Sequence, residues 1–264
     1  MPLVTVGCVK GRSGATATSV ALAAVLPQAA RPLVVECDPA GGDLGLRFSV
    51  KWTPGLVALA SAARATSRTA DPAQSDQLSG YANLLPVGDG VSVVCAPPAG
   101  SQTHAAVSLL AANAANVLRP ANRTVIADCG RLDPTSAAWP LLGVADVAIV
   151  VLRGRIEDAG HLRGLIGDLA EVAGPRLVLL LTAGGVYGPH DIAGNVHHAL
   201  HEIGLPELRV PVLGPLPYDP KAARLLDGQL PSMRRWRHTP LLRALDSLTG
   251  VLTTRATVDS GEPR

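Results

Sequence analysis

The stretch VKGRSGATAT, Val9–Thr18, stands between an apolar run, Leu3–Cys8, and an alanine-rich segment that reads as a helix from Ala15 to Leu26. A strand that turns through glycines straight into a helix is the setting a phosphate-binding loop requires. Gly11 and Gly14 let successive backbone N–H groups turn inward, and the start of the helix adds partial positive charge. Thr16 stands where a hydroxyl would ligate Mg²⁺. Where such a loop carries its phosphate lysine, this chain has Ala15. A glycine turn of this kind also occurs as plain architecture in α/β proteins, so the rest of the chain has to decide.

Outward from the loop, apolar runs alternate with helical patterns. Strands are expected at Pro32–Cys37, Val91–Ala96, Thr124–Ala127, Val144–Leu152, Arg176–Thr182 and Val210–Leu216. Helices are expected at Pro54–Ala63, Thr103–Leu118, Pro134–Leu142, Glu157–Val172, Ile192–Ile203, Pro220–Leu226 and Leu241–Leu252, with a polar loop from Arg64 to Gly80. Short, wholly apolar strands separated by helices imply a single doubly wound, mostly parallel sheet with helices on both faces, spanning residues 1–252. Residues 253–264 lack apolar anchors and read as a disordered tail. Ligands of such sheets bind at the carboxyl ends of the strands.

Composition fits this reading. The 264 residues are 47% hydrophobic but only 3% aromatic, so the core is built from Val, Leu, Ile and Ala. A net charge of +2 gives no global pull toward nucleic acid. No apolar run reaches the length of a membrane span, and no secretory leader is evident, so a cytoplasmic location is expected. Cys8, Cys37, Cys95 and Cys129 each follow or end an apolar run without a CxxC pair, and read as buried thiols.

Two further segments carry chemistry. VVECDPAGGD, Val34–Asp43, places Glu36 and Asp38 at the end of a strand, followed by a glycine loop. Asp38 could orient a water or approach a metal, or simply initiate the turn before Pro39. VIADCG, Val125–Gly130, ends a strand on Asp128, the usual position of an outer-shell partner of Mg²⁺ beside a phosphate loop.

These segments together resemble the ParA/MinD family of deviant Walker P-loop ATPases over most of the chain. The family loop K-G-G-x-G-K-[ST]-T aligns with KGRSGATA. Asp38 falls on the second aspartate of its D-x-D-P-x-G-N segment, and Asp128 on its D-x-[PG] segment. VSVVCAPPAG (Val91–Gly100) and ADVAIVVL (Ala145–Leu152) are similar to family strands. GPLPYDPKAARLLDGQLP, Gly214–Pro231, resembles the family segment beside the adenine, which brings in Pro217. The resemblance implies ATP and Mg²⁺ as cofactors and an ATP-sandwich homodimer. Lys10 and Asp38 then take the catalytic positions, with Lys10 reaching into the partner's site. Gly11, Arg12, Ser13, Gly14, Ala15, Thr16 and Ala17 hold the nucleotide, and Thr16 and Asp128 the metal.

The departures from the pattern matter. Arg12 replaces the second loop glycine, Ala15 the phosphate lysine and Ala17 a threonine, and Thr182–Ala183 stand where the family carries an asparagine. One charge-assisted contact is worth roughly 1.5–3 kcal/mol, about ten- to a hundredfold in affinity. The loss is larger for a phosphoryl-transfer transition state, so hydrolysis is expected to be slow at best. Lys10 or Arg12 is the candidate replacement cation, while Arg12 could equally crowd the ligand or face solvent.

The resemblance implies a protein that positions intracellular cargo through an adaptor, such as a chromosome, a plasmid, or a division, pilus or secretion machine. Two other readings stand beside it: a pseudo-ATPase docking platform that binds no nucleotide, and an unrelated enzyme on the same sheet. The segment MRRWRH, Met233–His238, precedes a stripe of Leu241, Leu242, Leu245, Leu248 and Leu252 at helical spacing. It reads as a core or dimer helix with a basic lead-in. The alternatives are a peripheral membrane anchor or a nonspecific DNA-binding patch, in either case carried by Arg234, Arg235, Arg237 and Arg243. His197, His198 and His201 read as a solvated helix face rather than a metal site, and Arg153 and Arg155 as partners of phosphate or of Glu157 and Asp158.

Overall fold

The computed structural model describes residues 2–66, 77–120, 122–232 and 234–258. Its strands are β1 (Leu3–Cys8), β2 (Leu33–Glu36), β3 (Asn83–Leu85), β4 (Val91–Val94), β5 (Val125–Arg131), β6 (Val147–Arg153), β7 (Leu177–Thr182) and β8 (Val212–Leu216). They form one eight-stranded sheet in the order β3-β4-β2-β5-β1-β6-β7-β8. Every pairing is parallel except the antiparallel β3–β4 edge. The helices are α1 (Ala15–Val25), α2 (Leu44–Arg47), α3 (Leu56–Thr66), α4 (Gly100–Ala111), α5 (Ala114–Val117), α6 (Trp139–Val144), α7 (Ile156–Ala173), α8 (Pro189–Glu202), α9 (Pro220–Leu226) and α10 (Pro240–Val258).

The sheet is buried on both faces because its strands carry two sets of apolar side chains at the period of a pleat. Val4, Val6 and Cys8 of β1, with Val34, Ile126 and Ile149, pack under α1, α9 and α10. Leu3, Leu33, Val35, Val125 and Ala127 face the opposite layer of α3, α4, α6, α7 and α8. The expected doubly wound architecture is therefore present. β1 lies between β5 and β6, so the loop that follows it emerges beside the carboxyl ends of both.

Several boundaries differ from expectation, each for a local reason. The helix expected over Thr103–Leu118 divides into α4 and α5, because Asn113 leaves helical geometry (φ −130°, ψ 21°); asparagine competes poorly for a helix interior. The helix expected from Pro134 begins only at Trp139. Asp133 Oδ1 accepts from the Thr135 N–H at 2.9 Å and from its hydroxyl at 2.6 Å, which holds the chain in a turn. The three-residue edge strand β3 and the single turn α2 carry too few residues to announce themselves. α10 continues to Val258, beyond the expected end at Leu252, so the expected tail from 253 begins inside this helix. Residues 259–264, Met233 of the basic segment and most of the expected polar loop, 67–76, lie outside the described residues. No helix among the described residues is long and apolar enough to cross a membrane.

Candidate functional site

The loop between β1 and α1 has the geometry of an anion cradle. Gly14, the residue preceding α1, adopts a left-handed conformation (φ 92°) and supplies no side-chain cap. The first N–H groups of α1 are thus left for a ligand, at the positive end of the helix dipole. Ser13 is buried, and its hydroxyl donates to Lys10 O at 2.8 Å, closing the loop on itself. Arg12 also adopts a left-handed conformation (φ 67°), one that glycine takes freely and other residues rarely do. An L side chain held there costs about 1–2 kcal/mol. Ala15 is buried and packs with Val4, Val6 and Cys8 in the apolar layer under α1.

Beside this loop lie three carboxylates: Glu36 at the end of β2, Asp38 in the turn after it, and Asp128 within β5, which runs on to Arg131, past the end expected at Ala127. β2 and β5 pair in register with Glu36 opposite Asp128. Asp128 is buried and accepts a hydrogen bond from the Thr16 hydroxyl. Burial above all, with the charges of Glu36 and Asp38 behind it, pushes the Asp128 carboxyl up to about 7. Asp38 Oδ1 accepts from the Ala40 N–H at 2.9 Å, and burial raises its carboxyl above the ordinary value. Its side chain lies across Gly130: a Cβ there would stand 2.0 Å from Asp38 Oδ2, so no larger residue fits beneath it. The structure thus brings Thr16, Asp38 and Asp128 to the same edge of the sheet.

Glu36 has a different part. Its Oε1 accepts from the N–H groups of Asp43 and Leu44, both at 2.8 Å, and its Oε2 from that of Ala96 at 2.9 Å. The side chain is buried, and desolvation holds its carboxyl above the usual range despite these three donors. It is an anchor that ties the Asp38 loop to the end of β4.

On the other side of the loop, a cleft of about 290 Å³ opens between α1, the ends of β7 and β8, and α10. Arg12, Ser13, Gly14 and Ala17 form its loop wall, and Pro217 and Tyr218 the wall opposite. Thr182, Ala183, Leu241 and Leu245 line it as well; Thr182 and Ala183 are the residues that stand where the family pattern has an asparagine, and nothing in the sequence had marked the two leucines as facing a ligand. Asp219 fixes this wall: Oδ1 accepts from Ala222 N at 3.0 Å and Oδ2 from Leu241 N at 3.1 Å, joining α9 to α10. Phosphates on the loop and a base in the apolar cleft would share one ligand. The donors beside the loop, a hydroxyl and carboxylates, are the hard oxygens that suit Mg²⁺. Among the described residues no three His, Cys, Asp or Glu side chains converge to hold a metal ion, so phosphate oxygens would have to complete its shell.

Other sequence candidates fall elsewhere. Lys10 Nζ lies 3.5 Å from His161 Nε2 of α7, outside the cleft lining. Gly11 is exposed, with open space around its Cα. Arg153 pairs with the buried Asp158 and Arg155 Nε donates to Gly184 O at 2.7 Å, so both brace the β6–α7 turn. His197 meets Arg209 and His198 pairs with Glu202. Trp236 is buried against Gly88 and Arg237 stacks on its ring at 4.9 Å, while Arg234, Arg235, Arg237 and Arg243 are all exposed. Leu242 and Leu245 are core residues and Leu241 and Leu248 are half-buried against them, which sets these four leucines in the layer of α1; the side chain of Leu252 lies outside the described residues. All four cysteines are free and buried. Desolvation pushes the Cys8 and Cys95 thiols up to about 12 and those of Cys37 and Cys129 up as well, so they are inert packing groups.

The sequence matches no protein-family model and no curated protein. Solved structures do match along nearly the whole chain. The septum site-determining protein MinD of Pyrococcus horikoshii OT3, complexed with Mg-ADP, has a TM-score of 0.70 at 16% identity and covers 99% of both chains. A ParA family ATPase from Chlorobium tepidum TLS has a TM-score of 0.67 at 15% identity, covering 94% of this chain and 96% of its own. Cobyrinic acid a,c-diamide synthase from Mycobacterium smegmatis, with an ATP analogue and magnesium, has a TM-score of 0.62 at 18% identity, covering 100% and 98%. The chain has the α/β P-loop fold of the ParA/MinD-like ATPases.

Proposed function

We propose that this chain is a nucleotide-dependent positioning protein of the ParA/MinD type that binds ATP with Mg²⁺ and hydrolyses it slowly at best. The observation that carries the reading is the uncapped, left-handed Gly14 loop with the Thr16–Asp128 pair on one side and the cleft of Pro217 on the other. The backbone N–H groups of the loop would hold the phosphates, Thr16 and Asp128 the metal ion, and the wall of Pro217 and Tyr218 the base. Mg²⁺ would supply charge neutralisation between phosphate oxygens. Asp38 would orient a water, and Lys10 would reach the second subunit of a homodimer. The setting is cytoplasmic, peripheral at membrane or nucleoid, with an adaptor or cargo protein as partner.

The expected outcome is tested by titration calorimetry with Mg·ATP, following mass by light scattering, on wild type and Lys10→Ala. Micromolar binding with dimerisation that requires Lys10 supports the reading. No binding up to millimolar ATP sinks it. One observation favours a second reading, a docking platform without nucleotide. Ala15 is packed into the apolar layer, so the position that should face phosphate has become part of the core.

A further inference from the structure

The loop offers few side chains to a phosphate. Ala15 and Ala17 carry no polar atom, the Ser13 hydroxyl is spent on Lys10 O, and the Thr16 hydroxyl is spent on Asp128. Lys10 extends toward His161 of α7 and does not line the cleft. Arg12 remains. It is the only cation lining the cleft, and among the described residues its guanidinium has no hydrogen-bond or ion-pair partner. Arg47, Arg153 and Arg155, which flank the same edge of the sheet, are all committed to Asp43 and Asp227, to Asp158, and to Gly184 O respectively.

We propose that Arg12 is the phosphate-contacting cation of this site, delivering from the left-handed turn of the loop the charge that Ala15 cannot supply. The proposal rests on the nucleotide reading above and specifies how that site works without its lysine. A guanidinium presents a planar fork of donors that can take two phosphate oxygens at once, which a lysine cannot. Its position also differs: the charge comes from the exposed rim of the loop, over the open mouth of the cleft, and not from the buried first turn of α1. Arg12 therefore contributes to binding the phosphate tail of a nucleotide and leaves the base to the apolar walls.

The left-handed backbone makes the test unusually clean. Glycine adopts φ 67° freely, so Arg12→Gly removes the charge while relieving the one unfavourable torsion it imposes. Wild type and Arg12→Gly are titrated with Mg·ATP, Mg·ADP and AMP, and melted without nucleotide. The expected result is a loss of about ten- to a hundredfold in ATP affinity, a change within twofold for AMP, and a melting temperature no lower than wild type. ATP affinity of Arg12→Gly within twofold of wild type overturns the proposal. So does an equal loss on ATP and AMP, which would mean that Arg12 contacts something other than the phosphate tail. Failure of wild type to bind any nucleotide overturns the nucleotide reading itself, and this proposal with it.

Discussion

Asp128 is 2% exposed and lies in β5, the strand paired with β1 beside the phosphate loop. Its carboxyl is pushed from 3.8 up to about 7, chiefly by burial. Between those two values the folded chain holds a proton that the unfolded chain has lost. The contribution of this group to stability is therefore complete below about pH 4 and is lost as pH rises through about 7. In the presence of a chelator, the melting temperature is expected to fall from pH 5.5 to pH 8. Asp128→Asn, which keeps the shape and cannot ionise, should melt higher than wild type at pH 8 and show a shallower slope. Glu36 and Asp38 are raised too, so the difference between wild type and variant isolates Asp128. Parallel slopes in the two proteins would overturn the assignment. The same residue that burdens the free fold would then be the one that a bound cation relieves, a trade common at functional sites.

At the scale of the element, one buried side chain ties both ends of the connection from β2 to α2 and joins it to β4. Glu36 accepts from the N–H groups of Asp43, Leu44 and Ala96, so it sets both the loop that carries Asp38 and its distance from β4. A glutamine keeps the length but offers one acceptor oxygen, and its amide nitrogen must face at least one of those donors. Glu36→Gln is expected to destabilise the fold by about 1–3 kcal/mol and to speed hydrogen exchange at Leu44 and Ala96. Urea melts and amide exchange measure both, and unchanged protection at these two amides would refute the anchoring role. The glycine loop and the placing of Asp38 and Asp128 after apolar runs were legible in the sequence because their signals are local: apolar run, turn residue, helix pattern; that β5 runs on past Asp128 to Arg131 was not. The role of Glu36 was not, since a carboxylate at a strand end reads as exposed until β4 is known to lie beside it. β3 was missed for a similar reason, because three residues pairing at an edge have no period of their own.

Across the whole molecule, the final helix decides how much of the chain is available for partners. The leucine stripe of α10 has the spacing of a membrane-lying helix as much as of a core helix, and sequence alone left both open. In the structure Leu242 is 0% exposed and Leu245 1%, packed in the layer that also holds Val20 and Leu225. Leu245 and Leu241 moreover form one wall of the cleft, so α10 couples the core to the candidate nucleotide site. Trp236 pins the lead-in against Gly88, and Arg237 Nη2 donates to Ala24 O of α1 at 3.3 Å. Arg234, Arg235, Arg237 and Arg243 thus form the exposed basic surface, from which Leu242 and Leu245 are withdrawn. Leu242 is the residue that separates the two roles, because it is buried without lining the cleft. Leu242→Ala is expected to cost about 2–5 kcal/mol, as large-to-small changes in a packed core do. The thermal midpoint should drop by several degrees or more, with no change in sedimentation with anionic vesicles. If the variant instead melted like wild type and lost vesicle binding, α10 would be a surface anchor and its packing on α1 would have to be given up.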